Sequence, residues 1–161
     1  GYETAIANNP QMLDDSRFKK LVPYWAAQAS FAFRDSADAT RLAEWNRTMQ
    51  AKFDSVGRLH DQGARIISGS DSSAGLPFGI SLLFEIYLMS EAGLGPIDAI
   101  NSATGLAAEA IGIDDDLGTI EPGKIADMAI IKGNPANDIR SLFNTELVIV
   151  GGRVLDIDQL L

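Results

Sequence analysis

Hydrophobic positions divide the chain into helical segments followed by a short β-rich tail. From Asp35 or Ser36, either of which suits an N-cap, Leu42, Trp45, Met49, Phe53, Val56 and Leu59 recur at helical spacing with charged residues between them. The spacing predicts one long amphipathic helix that stops at Gly63, since glycine takes the left-handed conformation that closes helices. Upstream, Gly1 to Phe33 shows no period, and Asn9-Pro10 and Val22-Pro23 discourage a continuous helix because each proline restricts its predecessor. A loop with short helical turns is expected there.

After Gly63 the period changes. Ala64-Arg65-Ile66-Ile67-Ser68 is a brief, mostly apolar run bounded by glycines, which suits a strand buried in a parallel sheet. Gly69-Ser70-Asp71-Ser72-Ser73 supplies a polar tip. A second helix is predicted over Ile80 to Ala92, with Leu83, Ile86 and Tyr87 inward and its end at Gly93. A third starts at Pro96, a favoured first helical residue, and runs to about Ala110 with Ile97, Ile100 and Ala107 on one face. Beyond Ile111, Pro122-Gly123 fits the centre of a type II turn. Met128 to Ile131 and Leu147 to Val150 read as strands, and Gly151-Gly152 turns the second back into Arg153-Val154-Leu155 as a hairpin.

Composition narrows the function classes. The net charge of -9 offers no cationic surface to neutralise phosphates, which argues against nucleic-acid binding. Cysteine is absent, so disulfides, thiolate nucleophiles and Cys-ligated zinc are removed together, while cytoplasm and periplasm both stay open. No run reads as a bilayer-spanning helix, and no membrane partner is expected. The chain opens Gly1-Tyr2-Glu3 without Met, which leaves an upstream start open.

The order helix, glycine, buried strand, Gly-Ser-Asp, loop, helix is that of one unit of an α/β protein, with Asp71 at the strand's C-terminal tip. That edge hosts chemistry in barrels and open α/β sheets, because strands hold their last residues rigidly while loops vary. An aspartate there suits metal ligation and proton transfer. On pattern alone, an Asp after a strand is more often an N-cap or turn residue, and that ordinary reading comes first.

Ala64 to Ser73 resembles the segment of amidohydrolase-superfamily enzymes in which the last barrel strand ends in Gly-Thr-Asp, with Ser70 in place of the threonine. Ala99-Ile100-Asn101-Ser102-Ala103-Thr104 and Ala107-Ala108 resemble the helix that follows in that family. Leu117-Gly118-Thr119-Ile120-Glu121-Pro122-Gly123-Lys124-Ile125-Ala126-Asp127 resembles the stretch where the chain leaves the barrel for the family's small β-sandwich, and Val148 to Val154 its final hairpin. The likeness covers Ala64 to Leu155 and is nearest the imidazolonepropionase-like and Xaa-Pro dipeptidase-like branches.

The resemblance implies an α/β fold class: the C-terminal part of a (β/α)8 TIM-type barrel over residues 1–115, then the C-terminal strands of a composite β-sandwich over 116–161. It implies a metal-dependent hydrolase of C–N bonds in cyclic amides or dipeptides, using one or two divalent ions, zinc by expectation. Asp71 would then be both a metal ligand and the catalytic base and acid. The family's remaining ligands, a His-x-His pair, a bridging lysine or glutamate and two later histidines, are not supplied by this chain, whose one histidine, His60, reads as a helix-end residue. Glu85 and Glu91 read as solvated helix carboxylates, and Trp45, Phe53 and Phe84 as core.

A closed barrel takes about 250 residues, so 161 hold only its end. The expectation is a fragment, inactive alone, whose open sheet edge is covered by a missing N-terminal segment or by a second copy of the chain. Two alternatives stand beside it: an acidic α/β module that binds a partner without chemistry, and a deaminase of the same superfamily.

Overall fold

The computed structural model describes residues 38–71 and 79–155. The irregular stretch expected over Gly1 to Phe33, the caps considered at Asp35 and Ser36, and the tip residues Ser72 and Ser73 lie outside them.

Helix α1 spans Ala39–Asp61. Its cap is Asp38, whose carboxylate accepts the Arg41 amide at 2.8 Å and satisfies one of the first-turn donors that a helix leaves open. The helix ends two residues before Gly63, with Arg58 and His60 in the last turn, where positive charge faces the negative end of the helix dipole. Met49 is buried and Phe53 and Val56 are half-buried, whereas Leu59 is exposed. Trp45 is likewise half-buried, with the Arg41 guanidinium 5.0 Å above its ring.

The predicted strand from Ala64 to Ser68 does not form a ladder among the described residues. A parallel strand needs neighbours, and none pairs with it among the described residues. Its backbone is held instead by Ser68, whose N–H donates to the Ser102 carbonyl at 2.9 Å.

Helix α2 covers Ile80–Met89 and passes through a π-helical turn, Ser90–Leu94, in which Gly93 has φ 110°. Helices α3, Gly95–Ser102, and α4, Gly105–Ile111, replace the single third helix that the periodicity predicts. The break is physical: the Ser102 carbonyl accepts from Ser68, and Thr104 leaves helical geometry at ψ -100°. The inward face of α3 also differs, with Ala99 and Ser102 fully buried and Ile97 61% exposed.

The stretch Ile80–Ser102 is long and apolar enough to cross a membrane by length and composition, contrary to the expectation that no run is. In the fold it bends at Gly93, and Ile86, Leu94 and Ala99 lie in one core with Ile139 and Leu142. These last two belong to a 3-10 turn, Ile139–Asn144. Phe84 and Phe143 meet across the same boundary with ring centroids 5.1 Å apart and tilted by 55°. The helices and the tail therefore share a core.

The tail is an antiparallel sheet of order β1-β2-β3: Met128–Ile131, Thr145–Val150 and Arg153–Leu155. Met128 faces Ile149 and Ile149 faces Val154, and a bulge falls between Ile130 and Ile131. The predicted strands and hairpin are present. Asp127 holds the hairpin turn, accepting the Gly151 amide at 2.6 Å. Pro122-Gly123 turns as expected, with Gly123 at φ 99° and the Lys124 N–H donating to the Glu121 carbonyl. Gly118 rests on α4 so closely that a Cβ there would lie 2.6 Å from the Ala108 Cβ, which ties the turn segment to the Ala107-Ala108 pair.

Candidate active site

Asp71 follows the segment that starts at Ala64, is exposed, and has φ 45°, the one positive φ at a non-glycine among the described residues. Aspartate tolerates this region better than most residues, and such conformations persist where surrounding structure holds them, often at functional sites.

Two anchors hold the segment before it. Ser68 is fastened to the end of α3 by its amide, as above, and by its hydroxyl, which lies 2.6 Å from the Ser102 Oγ. Ser102 donates its one hydroxyl proton to the Ala99 carbonyl at 2.7 Å, so Ser68 must be the donor between the two serines. The second anchor is Glu85 on α2, whose Oε1 accepts the Gly69 amide at 3.0 Å. Glu85 is thus not the solvated carboxylate that its helical position suggests. Contacts across 16 and 34 residues leave no periodic signal, so the sequence does not mark Ser68 and Ser102 as anchors and lets Glu85 read as solvated. Glu91 is exposed, as expected.

Beside these anchors lies a cavity of about 360 Å³ whose lining includes Ser70, Glu85, Lys52, Phe53 and Phe84. Its walls come from α1, α2 and the segment leading to Asp71. Of the aromatics read as core, Phe84 is 3% exposed while Phe53 borders this space.

His60 is at the end of α1, as predicted, and its Nε2 is 3.1 Å from Asp98 on α3. It joins two helices and takes no part in the Asp71 segment. Among the described residues no three His, Asp or Glu side chains converge to hold a metal ion. Asp71 fits as a single hard-oxygen donor, but one carboxylate is not a site, since zinc takes four ligands and a catalytic zinc usually three from protein. Lys124 and Asp127 serve structure: Lys124 donates to the Thr119 hydroxyl, and Thr119 donates to Glu121, both at 2.6 Å. That hydroxyl, then the Lys124 charge, hold the Glu121 carboxyl below its ordinary value.

Residues 27–155 match the family model described as Amidohydrolase family. The chain belongs to the amidohydrolase family. Over 104 residues this amidohydrolase chain is 35% identical to the imidazolonepropionase of Geobacillus thermodenitrificans, an overlap of 61% of this chain and 24% of that protein. Over 62 residues it is 42% identical to adenine deaminase 4 of Rhizobium meliloti, covering 38% of this chain and 9% of that one. Among solved structures, a Xaa-Pro dipeptidase with methionine bound in its active site superposes with a TM-score of 0.60 at 32% identity, over 73% of this chain and 28% of that chain. The amidohydrolase chain thus spans about a quarter of the length of the imidazolonepropionase it matches. Its mixed helix and strand content agrees with these neighbours.

Proposed function

We propose that this amidohydrolase chain is the C-terminal part of a metal-dependent hydrolase of C–N bonds, with Asp71 as its catalytic carboxylate. In this reading residues 1–115 contribute the last strand and flanking helices of a (β/α)8 barrel, and 116–161 the last strands of a β-sandwich. The observation that carries it is the placement of Asp71: an exposed carboxylate at positive φ, at the tip of a segment anchored at both Ser68 and Glu85. Family membership favours catalysis over a purely partner-binding module.

Asp71 accepts a proton from the attacking water and returns it to the departing nitrogen, a role for which a carboxylate on an anchored segment is suited. A divalent ion, zinc in this proposal and one or two in number, supplies polarisation of the scissile carbonyl and a lowered pKa of water. The other ligands come from outside the described residues. The matched relatives suggest cyclic amides or Xaa-Pro dipeptides as substrates. The adenine deaminase match keeps attack on a C=N carbon as the second reading.

The test is Asp71→Asn in the longest polypeptide that carries this chain, assayed with zinc on an imidazolone, an Xaa-Pro dipeptide and adenine. Asparagine tolerates positive φ as aspartate does, so the backbone is kept while the base is lost. A fall in kcat of about 100- to 10,000-fold on the preferred substrate is expected. Unchanged turnover refutes the proposal, and preference for adenine selects the deaminase.

A further inference from the structure

We infer that Glu85 is a positioning residue for Asp71, acting through the Gly69 amide; this rests on the reading of Asp71 as the catalytic carboxylate. The argument begins with the backbone. Between Ser68 and Asp71 lie two residues, Gly69 and Ser70, and glycine leaves the chain free to swing about its φ and ψ. The Ser68 anchors fix the chain before that swivel, not after it. The bond from the Gly69 N–H to Glu85 Oε1, at 3.0 Å, fixes the Ser68–Gly69 peptide plane, the origin from which that rotation starts and so the place from which Asp71 is carried. A charged acceptor makes this the stronger kind of hydrogen bond, and Glu85 is half-buried on α2.

Neighbouring contacts fix Glu85 in turn. Phe84, adjacent to it on α2, is buried against Phe143 of the tail, and Ile86 on its other side lies in the central core. The carboxylate is therefore carried by a stretch of helix that has little freedom to shift. Asp71 benefits from that support, because its positive φ, though tolerated by aspartate, is sparsely populated and is kept where neighbouring structure favours it. A displacement of about 1 Å at a reacting group costs on the order of 100-fold in rate.

The chemistry separates geometry from charge. Glu85→Gln keeps an oxygen able to accept the Gly69 amide and removes the negative charge, while Glu85→Ala removes both. The experiment measures kcat and KM for both variants in the longest polypeptide carrying this chain, together with hydrogen–deuterium exchange of peptides covering Ala64 to Asp71. Expected for Glu85→Ala is a fall in kcat of about 10- to 100-fold, the range for residues that orient a site at one remove. KM should change less than about threefold, with the loss confined to kcat as a transition-state effect. The Gly69 amide should exchange faster, and thermal unfolding should keep its cooperative shape.

Glu85→Gln should restore both kcat and protection to within about threefold of the parent. The inference is overturned if Glu85→Ala leaves Gly69 protection and kcat unchanged, or if Glu85→Gln is as impaired as Glu85→Ala, which would assign the effect to charge. Failure of the Asp71 reading is distinguishable: Asp71→Asn would then be fully active, whereas the Gly69 exchange response to Glu85→Ala would still be present.

Discussion

Helix α1 meets the π-helical turn backbone to backbone, and this contact makes a sharp prediction for Gly57→Ala. In a solvent-exposed helix interior the change is stabilising by up to about 1 kcal/mol, because alanine is the better helix former. Here a Cβ would sit 2.6 Å from the Ala92 carbonyl oxygen, against the 3.4 Å at which ordinary contact begins. The two elements must part by about 0.8 Å, and the obstacle is backbone, so no side chain can rotate away. Overpacking of this kind costs about 1–3 kcal/mol, which exceeds the propensity gain. The expected net effect is a loss of about 1–2 kcal/mol, read as a drop in Tm of roughly 2–8 °C for a chain of this size. The assay is urea and thermal unfolding of Gly57→Ala beside Thr48→Ala, an exposed position on the same helix that should gain a few tenths of a kcal/mol. A Gly57→Ala protein stabilised by the full helix-propensity gain would refute the close approach.

Further predictions concern the anchors and the tail. Ser102→Ala removes a proton donor to Ala99 and the acceptor of the Ser68 hydroxyl in a fully buried place, and should cost about 1–3 kcal/mol in urea unfolding. A cost below 0.5 kcal/mol, within the ordinary scatter of surface changes, would show the hydroxyl pair to be dispensable. Thr119→Val should raise the Glu121 midpoint toward its ordinary 4.5, followed by carboxyl chemical shift against pH. Since the folded-state value is lowered, the stabilisation is present above pH 4.5 and is lost as the pH falls through the folded midpoint; the stability difference between parent and Thr119→Val should fade in that direction. A Glu121 midpoint that does not move would exclude the Thr119 hydroxyl as the main cause.

What could be read along the chain was mostly local. The strand Met128–Ile131 has its predicted bounds, because branched residues and flanking turns are signals carried within a few positions. Gly63 follows the end of α1, and Gly123 turns as its pairing with Pro122 demands. The third helix shows where local reading stops. Its apolar spacing ran through Ala103-Thr104, but the helix breaks there, beside a Ser102 carbonyl that accepts from Ser68, a long-range contact that no helical period encodes. The Ala64 to Ser68 run was apolar and short as a buried strand should be, yet a ladder is a property of pairs of segments. Asp71 could be singled out as a candidate from its place after that run and from family likeness, whereas Glu85 was indistinguishable from any helix-surface carboxylate until α2 was set beside Gly69.

The serine pair also makes the Asp71 tip depend on a distant part of the chain. Ser68 and Ser102 are 34 residues apart, and joining them closes a loop whose entropy disfavours contact by about 3 kcal/mol on a flexible-chain scale. Helices α1 and α2 have no such requirement, since their hydrogen bonds lie within a turn. The tip bearing Asp71 thus has its Ser68 anchor only in conformations where α3 is formed and lies against the segment before it. Any opening of α3 in the folded state releases that anchor, so slow exchange at the Ser68 amide would report how much of the time the candidate catalytic carboxylate is in place.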